Sequence, residues 1–119
     1  MMRPFNKLTP AEVERLSLLA EECGEVIQAI TKILRHGYES GWKGSNNRDD
    51  LAKEIGDVEF ATEMLTAAGD VDAVSIINAT DEKAEAVARF LHHQPKSLLK
   101  KATPHQPKPK PKPKRRRSK

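Results

Sequence analysis

Four carboxylates in two helical pairs carry the chemistry this sequence can do. Glu22 and Glu25 stand in AEECGEV, and Glu54 and Asp57 in KEIGDVE. Within each pair the residues are spaced i, i+3, so on a helix both side chains leave the same face. Two such pairs on facing helices would gather four acids at one point. Like charges at that range repel, so the grouping calls for a cation between them. A hard divalent ion such as Mg²⁺ takes oxygen ligands and meets that need, and Mn²⁺ accepts the same donors. The pattern points to metal-dependent work on phosphates.

The elements that must position these acids can be read from the same text. Thr9 and Pro10 open a helix, with Thr as N-cap, Pro at the first helical position and Glu12 in the first turn. The helical pattern runs to His36, and Gly37 supplies a stop. Leu16, Leu19, Ala20, Cys23, Ile27, Ile30 and Leu34 recur at steps of three and four as an apolar stripe, expected to form the buried face. Gly24 interrupts it and is a candidate for a close helix contact. GYESGWKGSNN at 37–47 reads as a loop. A second helix is expected from about Asn47–Asp49 to Ala68, with Leu51, Ile55, Val58, Thr62 and Leu65 buried and Gly69 ending it. A third is expected over roughly Val71 to His93, with Val74, Ile77, Ala84, Val87 and Leu91 apolar and a break near Thr80–Asp81. Beyond Pro95 helix formation is not expected. No segment reads as a strand. The predicted fold class is therefore all-α, a helical bundle completed by oligomerisation, because about 93 residues bury only a modest core.

Position separates a site from a solvated acidic face. Glu22 lies at the edge of the apolar stripe, near Leu18, Leu19 and Val26. Glu54 sits between Leu51 and Val58, and Asp57 precedes Phe60 and Ala61. An unpaired carboxylate bordering a core is unfavourable, and ligating a metal removes that penalty. Glu21 lies farther from the stripe and is a candidate general base or a solvated acid. Other chemistries lack their residues. The Glu-x-x-His pairs of a di-iron bundle are missing, no phosphate-binding P-loop occurs, and one cysteine with scattered histidines does not make a zinc site. Cys23 falls on the stripe and reads as a small buried residue.

The two motifs, with their surroundings LLAEECGEVIQAITKILRHG, NNRDDLAKEIGDV and FLHHQP, resemble the all-α nucleoside triphosphate pyrophosphohydrolases of the MazG type, particularly the short single-domain phage and bacterial members. The resemblance covers roughly residues 8–95. It implies a helical dimer or tetramer that cleaves a (deoxy)nucleoside triphosphate to monophosphate and pyrophosphate with Mg²⁺, and it makes Glu22, Glu25, Glu54 and Asp57 the metal ligands. Such a site also needs cations to receive a triphosphate. Lys32, two turns beyond Glu25, can reach phosphates. Lys83 is a second candidate and equally an ordinary exposed charge. In the loop, Tyr38 and Trp42 could stack on a base, and Asn46 or Asn47 could read its edge, Asn47 being equally a candidate helix N-cap. His36 is either a substrate contact or a favourable charge at a helix C-terminus. A related activity, on a phosphoribosyl-nucleotide, is the alternative within the enzyme class.

Charge is segregated along the chain. Residues 94–119 hold 11 of the 21 Lys and Arg and no acid, so residues 1–93 carry all 17 acids and a net charge of −7. The expected division is a helical domain over 1–94 and a disordered Pro/Lys/Arg-rich tail over 95–119. Residues 108–119 form an electrostatic footprint for nucleic acid, and without interleaved aromatics its binding would be sequence-blind. A helical nucleic-acid-associated protein is thus the competing class. A single cysteine excludes an intrachain disulfide and, with no apolar run near ~20 residues and no signal-like N-terminus, leads us to expect a cytoplasmic protein without membrane contact.

Overall fold

The computed structural model describes residues 5–41 and 44–101, with the side chains of Lys100 and Lys101 outside that description. Its elements are α1 (Pro10–His36), α2 (Asn47–Ala68), α3 (Ala73–Val87) and α4 (Lys96–Lys101), with no strand among the described residues. The protein is all-α, as its periodicity predicts. The described chain divides into two compact units, one ending at Val71 and the other starting at Asp72. The division falls at the turn after α2.

The first unit is a hairpin of α1 and α2. Its helix ends follow from local chemistry. Thr9 Oγ1 accepts the Glu12 N–H at 3.1 Å while Glu12 Oε1 accepts the Thr9 N–H at 3.0 Å, a complete capping box with Pro10 beside it. At the start of α2 the N-cap is Asn46, whose Oδ1 accepts the Asp49 N–H at 2.8 Å. Asn47 is thus the first helical residue, which corrects its alternative as N-cap. It is buried, and its Nδ2 donates to the Gly37 carbonyl at 3.0 Å, fastening the end of α1 to the start of α2. The loop folds back over the same junction: the Asn47 N–H donates to the Ser40 carbonyl at 2.7 Å and the Arg48 N–H to that of Tyr38 at 3.0 Å. Gly69 closes α2 in the left-handed region at φ 82°, and Asp70 N–H reaches back to the Leu65 carbonyl at 2.9 Å. At this open end Arg15 holds Asp70 through two bonds, Nε to Oδ2 at 2.6 Å and Nη2 to Oδ1 at 3.0 Å.

The packed faces differ from the expected stripe. Ala29, Ala61 and Leu65 are the buried apolar residues of the hairpin. Leu18, Glu22, Glu25, Val26 and Ile33 share the shielded side of α1, and Leu51, Glu54, Asp57, Val58 and Thr62 that of α2. Leu16, Ala20, Ile27, Ile30 and Leu34 on α1 and Ile55 on α2, all expected to be buried, are exposed in the single chain, Leu34 by 80 % and Ile27 by 64 %. Cys23 is exposed as well, which corrects its reading as a core residue. Gly24 does not mark a close contact: a Cβ there would meet nothing within 4 Å. The periodicity records an apolar stripe faithfully but does not say what covers it. The seam between the two helices is occupied by the acids together with the apolar residues of the neighbouring face.

The second unit is shorter and looser. Asp72 caps α3 by accepting the Ser75 N–H at 3.0 Å. The helix is continuous through Thr80 and Asp81, so the expected break is absent. It stops at Val87, well before His93. Phe90 and Leu91 N–H groups both turn back onto the Val87 carbonyl, at 2.9 and 3.0 Å, and tighten the chain out of the helix. Contrary to expectation, helix resumes after Pro95: the Leu98 N–H donates to the Pro95 carbonyl at 3.0 Å and KSLLKK completes α4. Pro obstructs a helix from within, but Pro95 stands just before the first helical residue, where its missing N–H costs no helical bond. Val74, Ile77 and Leu91, expected to be apolar core positions, are exposed.

Candidate active site and metal centre

The antiparallel course of the hairpin sets each acidic pair against the other. Glu22 and Glu25 descend the shielded side of α1 while Glu54 and Asp57 ascend that of α2. One carboxylate oxygen from each of the four can be chosen so that all lie within 4.8 Å of one another. The group is half-buried. Glu22 Oε2 and Glu54 Oε2 are shut away from solvent with no hydrogen-bond partner. Orphaned carboxylate oxygens are unfavourable. Their convergence leaves a four-oxygen donor set of the kind a hard divalent cation takes, so the residues fit such an ion.

Electrostatics within the ring follow from the crowding. The Glu54 carboxyl is held above its ordinary range, first by a hydrogen-bonding interaction with the Glu25 carboxyl, next by desolvation, and further by the charges of Glu25 and Asp57. Lys53 opposes this rise. Its Nζ donates to Asp57 Oδ2 at 3.0 Å and lies 3.6 Å from Glu54 Oε1. Its own ammonium is held above its usual value, chiefly by the bond to Asp57.

A polar cleft of about 300 Å³ opens beside the ring, lined by Glu25, Gln28, Ala29, Lys32, Asn47, Asp50, Lys53 and Glu54. Two expected substrate contacts, Lys32 and Asn47, stand on its wall. Gln28, Asp50 and Lys53 stand there too and were not singled out from the sequence. A signal for them existed. Gln28 lies three residues after Glu25, Asp50 four before Glu54, and Lys53 four before Asp57, so they continue the same helix faces by the same steps.

The remaining candidates fall elsewhere. Glu21 is exposed and outside the ring. Asn46 accepts the Asp49 N–H with its side-chain oxygen as the cap of α2. His36 is exposed at the last position of α1. The Tyr38 ring already carries the Arg48 guanidinium, 4.5 Å from its centroid, and Arg48 Nε is held by Glu39 Oε1 at 3.1 Å. Lys83 belongs to the second unit, on a groove with Ile76, Ala79, Thr80, Ala84, Val87 and Leu99. Trp42 and the basic segment 108–119 lie outside the described residues.

A helical hairpin that brings an E-x-x-E pair against an E-x-x-D pair beside a cation-bearing cleft is an arrangement that can hold a hard divalent cation next to a phosphate. The comparison with protein families makes this specific. Residues 12–92 match the model of the MazG nucleotide pyrophosphohydrolase domain, and the chain belongs to that family. No curated protein and no solved structure matches the chain. No described helix is long and apolar enough to cross a membrane.

Proposed function

We propose that this protein hydrolyses a (deoxy)nucleoside triphosphate to the nucleoside monophosphate and pyrophosphate, with Mg²⁺ as its metal and Mn²⁺ able to replace it. The observation that carries this reading is the convergence of Glu22, Glu25, Glu54 and Asp57 beside a polar cleft that presents Lys32. When bound by those four residues, the ion supplies Lewis-acid activation and offsets phosphate charge. Lys32 and Gln28, one helical turn apart on the cleft wall, bind and orient the phosphate chain. Buried Asn47, fixed through its Nδ2, sets the cleft floor at the junction of the two helices. Water adds at the α-phosphorus, the bond to the bridging oxygen breaks, and pyrophosphate departs. Glu21, exposed and not engaged in the ring, is the proposed acceptor of the proton that water gives up.

The exposed row of Leu16, Ile27, Ile30 and Leu34 supports a homodimer or homotetramer, since these side chains gain from removal from water only against another copy or another element. The segregated charge supports a second, additional property: sequence-blind attachment to nucleic acid through residues 108–119. His36, Trp42 and Lys83 remain proposed substrate contacts in the assembled protein.

The test is pyrophosphate release from eight ribo- and deoxynucleoside triphosphates, with Mg²⁺ and with EDTA. Equimolar monophosphate and pyrophosphate, abolished by EDTA, support the reaction. Release only from a phosphoribosyl-nucleotide would transfer the reading to that substrate class. No release from either by a folded protein would overturn it.

A further inference from the structure

Among the described residues, one basic side chain is paired with the carboxylate ring, and it comes from the ring's own helix. Lys53 Nζ touches Asp57 Oδ2 at 3.0 Å and stands 3.6 Å from Glu54 Oε1. Its side chain is otherwise 68 % exposed, so only the ammonium is engaged and the stem is unconfined. Two further ring oxygens, on Glu22 and Glu54, are shut in without a partner. The same side chain lines the cleft that also holds Lys32. Lys53 therefore stands between two anionic demands, the ring on one side and the phosphate cleft on the other.

We propose that Lys53 is the resident counter-ion of the ring, a built-in cation that a divalent metal must displace to bind. This rests on the metal-binding reading above. A single positive charge cannot neutralise four carboxylates, but it lowers their mutual repulsion while the ring holds no metal. A divalent ion brings twice the charge to the same oxygens, and two cations cannot share Asp57 and Glu54 at contact distance. The ammonium then leaves on its flexible stem, and the nearest polar surface is the cleft wall. Displacement couples the two sites: filling the ring frees a second lysine beside Lys32, and an anion in the cleft draws Lys53 off the ring. The lysine thus weakens the bare ring's hold on metal and strengthens the loaded ring's hold on phosphate.

The experiment measures Mn²⁺ binding by calorimetry for the full chain, for Lys53→Met, Lys53→Arg and Lys32→Met, with parallel thermal melts in EDTA. Met keeps the apolar stem and removes the charge. Lys53→Met is expected to bind Mn²⁺ about 1.5- to fivefold more tightly, the range that an exposed ion pair spans, and to melt lower than wild type in EDTA. Lys53→Arg is expected to stay near the wild-type affinity. Lys32→Met, which removes the same charge from the cleft but no ring contact, is expected to move affinity less. Lys53→Met binding no tighter than wild type, or no tighter than Lys32→Met, overturns the counter-ion role. So does an unchanged or higher melting temperature of Lys53→Met in EDTA. Absence of Mn²⁺ binding by the wild-type chain overturns the metal reading itself, which is a separate result from an unchanged variant.

Discussion

Glu22→Gln is the sharpest perturbation of the ring, because it keeps the shape of the side chain and removes one of four charges. Glu22 Oε2 is enclosed without a hydrogen-bond partner, so in the metal-free protein its negative charge finds no compensation nearby. A ligand that binds only the folded state stabilises it by RT ln(1 + [L]/Kd), about 2.7 kcal/mol at a hundredfold excess over Kd. In a domain of this size each kcal/mol moves Tm by roughly 4–8 °C, so wild type should gain on the order of 10–20 °C from such a Mg²⁺ concentration. Loss of one charged donor of four is taken to weaken binding by about 100-fold, or 2.7 kcal/mol. At the same Mg²⁺ concentration the variant then gains only about 0.4 kcal/mol, or a few degrees. The assay is a pair of calorimetric melts, in Mg²⁺ and in EDTA, at one protein concentration so that self-association is held constant. The variant should also melt no lower than wild type in EDTA, since a repelling charge has gone. A Mg²⁺-induced rise in the variant equal to that in wild type would refute the claim that this carboxylate holds metal.

Other expectations follow from features away from the ring's charge. Gly24 and Gly56 each sit inside one acidic motif, in mid-helix and with open space where a Cβ would go. Alanine at either position should stabilise the chain by about 0.5–1 kcal/mol in urea unfolding, and destabilisation would mean that the assembled protein needs those gaps. Arg15 holds Asp70 below the usual aspartate range. A depressed carboxyl adds stability above its unfolded pKa and loses it as pH falls through the lower folded value. Asp70→Asn should therefore melt below wild type at pH 7, with the difference closing on acidification, and a constant difference would remove the ion pair as its cause. Replacing exposed Ile27 and Leu34 together by Lys should shift the molecular mass in light scattering toward that of one chain, whereas an unchanged assembly would place the interface elsewhere. Removing residues 108–119 should abolish salt-dependent retention on duplex DNA and leave nucleotide hydrolysis in place.

The geometry of the candidate site is legible in the sequence where local rules govern it. The i, i+3 spacing of the acids, Thr9 and Pro10 at one helix start, and the glycines at 37 and 69 are decided within a few residues, and the helices α1 and α2 fall where those signals put them. What the text could not carry is which face meets which. The row from Leu16 to Leu34 has the right period for a core, yet in the single chain it faces outward, because period reports amphipathicity and not the identity of the covering surface. Cys23 faces outward with it. The cleft residues Gln28, Asp50 and Lys53 were hidden for another reason: charged and amide side chains on a helix are ordinary until the partner helix makes them neighbours of the ring. The short helix after Pro95 shows the limit of a breaker rule that ignores position, since Pro at a helix start is permissive.

The two fastenings of the hairpin have a consequence for the spacing of the acids. Arg15 and Asp70 close one end, and the Asn47 amide on the Gly37 carbonyl closes the other. Arg15 precedes Glu22 by seven residues, and Asn47 precedes Glu54 by seven, so each fastening stands roughly 10 Å along the helix axis from the acids. Neither fastening touches the acids themselves. The distance between the two backbones at the ring is thus bounded by contacts that are not the acids' own: a fastening at each end and the packed Ala29, Ala61 and Leu65 between them. An ion taken up there would have to suit that gap, whether it asks for oxygen contacts near 2.0–2.1 Å or about 2.3–2.6 Å. Loosening either end would let the four acids drift apart although the donors themselves had not changed.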